Sequence, residues 1–179
     1  MKAPLSIQGG GSDLHFPHHS MCAAEGRILS GEHFAKRFVH TGMIGLDGEK
    51  MSKSKGNLKF VSVMRNESVD PMALRIALLS GHYRADRSWS DDLLKSSENR
   101  LHTWRTALSS PYGGEVHELI EGMINALSED LDTPRAFALL DEWTARRIES
   151  LHQESINSSN VNNIGQLARF LDAALGVAL

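Results

Sequence analysis

From residue 90 to the end of the chain, apolar residues recur every three or four positions, a spacing that predicts helices. Ser90, followed by Asp91 and Asp92, is typical of a helix start, because the serine can cap the first turn and the acids favour its positive end. Three further helices are predicted to begin near Glu115, at Asp132-Thr133-Pro134 and near residue 161. The apolar stripes of the first, third and fourth helices are Leu93, Leu94, Leu101, Trp104 and Leu108; Phe137, Leu140, Trp143 and Ile148; and Ile164, Leu167, Phe170, Leu171 and Leu175. Four such helices predict a small bundle over residues 90–179.

The earlier part of the chain has a different pattern, with glycines and histidines clustered in short segments. In "FAKRFVHTGMIGLDGEK" the alternation and the Asp-Gly pair predict a strand that runs into a tight turn. Asp70 as N-cap and Pro71 at the first helical position predict a helix that ends at Gly81 and leads towards the bundle. We therefore divide the chain into a mixed α/β part (1–60), a connecting helical segment (61–89) and the bundle (90–179).

Composition narrows the functional classes. The chain has 179 residues, 41% hydrophobic and 23% charged, as expected for a globular protein that can bury a core. Its net charge of −3 argues against a broad basic surface that wraps nucleic acid. Cys22 is the only cysteine, so no intrachain disulfide can form, and no apolar run approaches the roughly 20 residues of a membrane span. These features predict a cytoplasmic protein without a membrane partner.

The segment "GEKMSKSKGN" carries an unusual density of positive charge. Lys50, Lys53 and Lys55 alternate with Ser52 and Ser54, and the sole apolar side chain among them is that of Met51. A solvated turn accounts for one or two such charges, whereas three lysines between two glycines indicate a loop that binds a small anion.

A second segment, "GGGSDLHFPHHSMC", contains groups that can approach or ligate a bound molecule. The glycines allow a backbone to come close to a ligand, although a glycine triplet alone is also typical of a plain turn. His18 and Cys22 are four residues apart in a predicted helix, a spacing at which imidazole and thiolate can share a zinc ion. Two ligands do not complete a site, and a helix-capping histidine beside a buried free cysteine is an equally simple interpretation.

Taken together, the two segments carry a family resemblance. "KMSKS" directly after a "DGE" turn, downstream of "GGGSDLHFPHH", resembles the second signature of the class I aminoacyl-tRNA synthetases. The resemblance implies an α/β fold, the C-terminal part of a Rossmann-like catalytic domain followed by a helical bundle. It also implies that the lysine loop closes over ATP and neutralises the charge that develops as pyrophosphate leaves.

Within that family, "GGGSDLHFPHH" is similar to the branch that activates cysteine and uses Zn²⁺ to recognise the substrate thiol, since zinc prefers thiolate to hydroxyl. Cysteinyl-tRNA synthetases usually have histidine and glutamate where this chain has Gln8 and Cys22. These departures favour the mycothiol ligases. Three further segments resemble the same ligases: "VHTGMIGLDGEKMSKSKGNL", "LLSGHYRADRSWSDDLL" and "EDLDTPRAFALLDEW".

This resemblance implies a reaction and a set of site residues. The complete enzyme is expected to be a monomer with one Zn²⁺ that ligates L-cysteine to the amine of glucosaminyl-inositol through a cysteinyl-adenylate, converting ATP to AMP and pyrophosphate. The catalytic residues implied are Lys50 and Lys53; the adenylate-binding residues are Gly11, Ser12, Asp13, Ile44, Met51, Ser52 and Ser54; and the zinc ligand is His18.

The family's first signature and two cysteine zinc ligands should precede Gln8, and the sequence does not contain them. We therefore expect this chain to correspond to the C-terminal part of such an enzyme, with apolar surface open around Phe16, Phe34 and Phe38. Two alternatives remain. A cysteinyl-tRNA synthetase fragment would need a tRNA-reading extension after the bundle, so tRNA is not the expected partner. The chain could also be an inactive remnant or a helical interaction module.

Overall fold

Strands and helices occupy different parts of the chain. The computed structural model describes residues 4–46, 48–109, 115–152 and 163–179. All strands fall in one unit, formed by Met1–Leu58 and Tyr83–Trp89, which we call the strand unit. The other unit, formed by Lys59–His82 and Ser90–Leu179, contains helices and is called the helical unit.

The helical unit confirms the helices predicted from periodicity. Its members are α2 (Val61–Asn66), α3 (Pro71–Leu79), α4 (Asp91–Leu108), α5 (His117–Ser128), α6 (Thr133–His152) and α7 (Ile164–Leu175). Both predicted caps form: the Asp70 carboxylate accepts from the Met72 N–H at 2.8 Å, and the Ser90 hydroxyl accepts from the Leu93 N–H at 3.1 Å. The predicted start of the last helix near residue 161 lies outside the described residues, and the helix is seen from Ile164.

The core of the helical unit is built around Trp104 of α4. Its ring packs edge-on against Phe137 of α6, with centroids 5.1 Å apart, and its indole N–H donates to the Asp141 carboxylate at 2.8 Å. Helix α3 also contributes, because Ala73 and Ile76 are fully buried in the same cluster. The helix predicted to lead towards the bundle is therefore part of its core.

Over its described residues, the strand unit contains two small sheets, one α-helix and short helical turns before that helix. Strands β1 (Gln8–Gly11) and β2 (Phe38–Thr41) pair in parallel, and the connection between them contains α1 (Ser20–Ser30). Strand β3 (Ile44–Leu46) pairs antiparallel with β4 (Glu49–Lys50). The strand predicted in this segment is thus seen as two, β2 and β3, and Asp47 of the predicted turn lies outside the described residues. The helix predicted near Pro17 begins at Ser20, after helical turns that are interrupted at the extended Phe16. A residue before proline is biased towards this conformation.

Strand β5 (Arg87–Trp89) was not predicted. It lies within the segment interpreted as helical and pairs in parallel with β3, Ile44 opposite Arg87. A three-residue strand whose partner is some forty residues earlier has no local periodicity to reveal it.

None of the helices in the described ranges has the length and apolar character that a membrane span needs.

Adjacent residues of α5 test the packing of the helical unit. Met123 is fully buried, whereas Ile124 is about half exposed on the same helix. Met123→Ala should lower the free energy of unfolding by about 2 to 5 kcal/mol, because the side chain leaves a cavity. Ile124→Ala should cost less than about 1 kcal/mol. Urea unfolding followed by tryptophan fluorescence measures both, and equal losses in the two variants would contradict this packing.

Candidate functional site

We call residues 50–57 the lysine loop. It continues directly from β4, and the side chain of Asn57 closes it. Its amide oxygen accepts from the Ser52 N–H at 2.9 Å, and its amide nitrogen donates to the Lys50 carbonyl at 3.3 Å. Within the turn, the Gly56 N–H donates to the Lys53 carbonyl at 3.2 Å. Asn57 thus fixes the ends of the turn that carries the lysines.

Lys50 joins the lysine loop to residues 9–22, which we call the glycine-rich segment. Its Nζ lies 2.7 Å from Oδ2 of Asp13, which follows β1. The hydrogen bond from Lys50 is the main cause that holds the pKa of the Asp13 carboxyl below its ordinary value, and the attraction of the Lys50 charge adds to it. The two segments singled out from the sequence are therefore in direct contact.

The three loop lysines have different surroundings. Lys50 is paired with Asp13, and Lys55 Nζ lies 2.8 Å from Oε2 of Glu49. Lys53 is exposed and makes no ion pair with any residue that the structure describes. An incoming anion would meet Lys53 without first displacing a carboxylate.

A cleft of about 410 Å³ adjoins the loop. Its walls come from Met43 and Gly45, from Glu49 and Lys50 of β4, and from residues 86–88. Oδ1 of Asp86 accepts from the Met43 N–H at 2.7 Å, and this bond helps to hold the β5 wall beside β3. The volume falls within the range of small-molecule sites in proteins.

The remaining predicted adenylate residues lie at the ends of strands or in the loop. Gly11 is the last residue of β1, and Ser12 begins the turn that carries Asp13. Ile44 is the first residue of β3 and is half-buried. In the loop, Met51 is half-buried, and the hydroxyl groups of Ser52 and Ser54 lie 3.3 Å apart.

His19 forms the buried part of the glycine-rich segment. The Gln8 side-chain amide nitrogen lies 3.2 Å from Nε2 of His19, so this ring nitrogen is the acceptor. Nδ1 then carries the proton and donates to Nε2 of His40 at 2.8 Å. Gly10 makes room for the ring, because a Cβ there would lie 2.7 Å from His19 Cε1. Burial lowers the pKa of His19, and the neighbouring histidines add to this effect, which favours the neutral ring.

The structure does not assemble a zinc site from the residues it describes. His18 is exposed, Cys22 is half-buried, and no three His, Cys, Asp or Glu side chains in the described ranges are placed to hold a metal ion. A catalytic zinc usually takes three protein ligands, so the described donor set does not fit the ion. The alternative of a capping histidine is not seen either, since no side chain caps the start of α1.

Asn57, His40 and Asp86 contribute to the site but were not selected from the sequence. Asn57 could have been found, because it lies within one turn's length of the lysine motif, after Lys55 and Gly56 in "KMSKSKGN". His40 and Asp86 contact residues 21 and 43 positions away, and nothing in their local sequence indicates those partners.

Comparison with known proteins supports the resemblance seen in the motifs. Residues 1–99 match the family described as the tRNA synthetases class I (C) catalytic domain. A protein of Streptomyces griseus subsp. griseus named L-cysteine:1D-myo-inositol 2-amino-2-deoxy-alpha-D-glucopyranoside ligase is 52% identical over 176 residues, covering 98% of this chain and 42% of the relative. Proteins of the same name from Streptomyces coelicolor and Saccharomonospora viridis are 51% and 49% identical over the same shares of both chains. The chain spans about two fifths of the length of these curated relatives.

A solved structure shows the same fold. The agnB2 LeuRS of Agrobacterium radiobacter K84, solved in a ternary complex with tRNA and LeuAMS, matches with a TM-score of 0.67 at 19% identity. The match covers 97% of this chain and 26% of that chain. The predicted fold class, an α/β class I synthetase catalytic domain followed by a helical bundle, is confirmed.

The Lys50 to Asp13 contact can be tested by titration. Because the pKa of Asp13 is lowered in the folded protein, the ion pair should persist as the pH falls through the ordinary carboxyl range, and should break at the lowered pKa. Lys50→Met should raise that pKa towards its ordinary value, as read from the carboxyl carbon by NMR. Lys53→Met is the matched control, and an equal shift in both variants would contradict a specific contact.

The incomplete donor set predicts weak binding of zinc. Equilibrium dialysis of the 179-residue chain should give less than one zinc ion bound per chain at submicromolar free metal, because His18 alone cannot hold it. His18→Ala should leave the measured binding unchanged. Stoichiometric binding that is lost in His18→Ala and in Cys22→Ala would show that the chain completes a site after all.

Proposed function

Because this chain belongs to the class I tRNA synthetase family, we propose that it supplies the lysine loop and adenylate-binding segment of an ATP-dependent cysteine ligase. The acceptor is the amine of glucosaminyl-inositol, and the activated intermediate is cysteinyl-adenylate. The proposal is supported by relatives about half identical to the chain whose names state a ligase for L-cysteine and this aminosugar.

The observation that carries the proposal is the contact between Lys50 and Asp13 beside the cleft. It brings a cationic loop, suited to phosphates, against a glycine-rich segment that can approach a ligand closely. A nucleotide whose phosphates point at the loop would place its remaining groups along this segment.

In the first step of the proposed reaction, a carboxylate oxygen of cysteine attacks the α-phosphorus of ATP and pyrophosphate leaves. Negative charge develops on the departing phosphates, and the ammonium groups of Lys50 and Lys53 would stabilise it. Lys53 can do so directly, since it is not ion-paired with a carboxylate of any described residue. Lys50 must exchange Asp13 for a phosphate oxygen, and that exchange ties its position to the bound nucleotide.

The adenylate would be held by groups on both sides of that contact. We assign Gly11, Ser12 and Asp13 to the cysteinyl-adenylate and Ile44, at the start of β3, to the adenine ring. Met51, Ser52 and Ser54 would support the loop that covers the phosphates, in keeping with the Ser52 to Ser54 hydroxyl contact. Once these groups exclude water, the adenylate is protected from hydrolysis.

In the second step, the aminosugar nitrogen attacks the acyl carbon and the bond from that carbon to the bridging oxygen breaks. AMP leaves with the bridging oxygen, and the nitrogen loses a proton to solvent, giving an amide. Zinc is the metal that would select the substrate thiol, and we assign His18 as one of its ligands. The described residues do not complete that site.

A chimera tests this reaction. This chain should replace the matching 176 residues of the Streptomyces griseus relative, with which it is 52% identical, and yield an enzyme that exchanges labelled pyrophosphate into ATP in the presence of cysteine. Lys50→Ala and Lys53→Ala should each slow the exchange by about 10²- to 10³-fold, the usual loss of one charge-stabilising donor. Lys36→Ala, an exposed lysine outside the loop, is the matched control.

Mass spectrometry of the products decides the acceptor. The chimera should form the cysteinyl amide of glucosaminyl-inositol together with AMP. Transfer of cysteine to tRNA, with no cysteinyl aminosugar formed, would overturn the ligase assignment in favour of a cysteinyl-tRNA synthetase. Normal exchange in both loop variants would overturn the roles assigned to the lysines.

A further inference from the structure

Helix α1 presents its large apolar side chains to solvent. Met21, Ile28 and Leu29 are 55%, 83% and 87% exposed, and no residue of this helix is buried. Single exposed apolar residues are ordinary on a protein surface, but three on an eleven-residue helix are a concentrated patch.

The opposite side of α1 faces the strand unit and carries small residues. Cys22, Ala23 and Gly26 are the half-buried positions of the helix. Gly26 is pressed against Phe34, because a Cβ there would lie 2.6 Å from the Phe34 ring. At about 100° of rotation per residue, Met21 and Ile28 project from the side of the helix away from Gly26. The amphipathic order is therefore reversed, with small residues inside and large apolar residues outside.

Neighbouring parts of the strand unit also expose apolar side chains to solvent. Phe16 is 77% exposed and Phe38 is exposed at the start of β2, as expected from the sequence, whereas Phe34 is half-buried against α1. Strands β1 and β2 form a parallel sheet of two strands. Parallel sheets are ordinarily larger and covered on both faces, so this one lacks its usual surroundings within the described residues.

We propose that the apolar face of α1, formed by Met21, Ile28 and Leu29, is a docking surface for a second polypeptide segment. The occupant is the segment equivalent to the part of the relatives that lies outside the match. That part is large: 98% of this chain has a counterpart in the Streptomyces griseus relative, but the match covers 42% of that protein. The proposal rests on family membership and not on the proposed reaction.

The charge of the patch fits a protein partner. Glu25 is exposed and lies one turn from both Met21 and Leu29, so the apolar face carries a carboxylate at its middle. A protein can pair that carboxylate with a cation or a backbone N–H at its surface. The interior of a lipid bilayer offers no such partner, and a charge there is costly.

Association can be measured without substrates. The 179-residue chain is co-expressed with the unmatched segment of the Streptomyces griseus relative, the segment alone bearing an affinity tag, and the captured complex is analysed by sedimentation velocity. The two should co-purify at equal stoichiometry. Ile28→Asp and Leu29→Asp should weaken association at least about tenfold, as expected for apolar anchors at the centre of an interface.

The matched control is Arg27→Asp, since Arg27 is exposed on the same helix but projects away from the patch. It should leave the association unchanged. Circular dichroism of each purified chain checks that α1 still folds, which is expected because Ile28 and Leu29 contact little of the unit.

Several outcomes would overturn the proposal. Failure of the segment to co-purify with the chain, or to stay soluble in its presence, counts against it. Equal weakening by Arg27→Asp would remove the role of the apolar face. Dimers of the chain alone that are dissociated by Ile28→Asp would identify a second copy as the occupant. A complex that forms but gives no ligase product would leave this surface intact and count against the proposed reaction.

Discussion

The lysine loop is positioned by the pairing of β3 along both of its edges. On one edge, β3 pairs antiparallel with β4, which ends in Lys50. On the other, it pairs in parallel with β5, and Asp86 adds a bond to the backbone at Met43. This double pairing fixes the direction in which the chain enters the loop. The contact between Lys50 and Asp13 and the walls of the cleft lie along this pairing.

Among the residues that the structure describes, Lys50 and Lys55 of the loop are in ion pairs and Lys53 is not. Asp13 and Glu49 each pair with one lysine, which limits the repulsion among three like charges in one turn. Both ion pairs are exposed, so solvent screens them and neither is a strong barrier to exchange with phosphate. A polyanion would thus contact Lys53 first, and Lys50 and Lys55 would then exchange their carboxylates for its oxygens.

The two units differ in which of their apolar side chains are buried. In the helical unit, large side chains such as Trp104, Phe137 and Leu167 are fully buried in one hydrophobic cluster. In the strand unit, the large apolar residues of α1 point outwards, and its inner contacts are made by small residues such as Gly26. A unit of this kind gains stability by association, because the outward side chains can still be removed from water.

By itself, the sequence determined the helices, their caps and the two chemical segments of the site. Those features are local: Ser90 and Asp70 cap the turns that follow them, and the lysines of the loop are neighbours in the chain. Only the tertiary structure decided that Lys50 pairs with Asp13, that β5 flanks β3, and which side of α1 faces inwards. Each of these depends on residues that are far apart in the chain and meet through backbone pairing or packing, which periodicity and spacing do not encode.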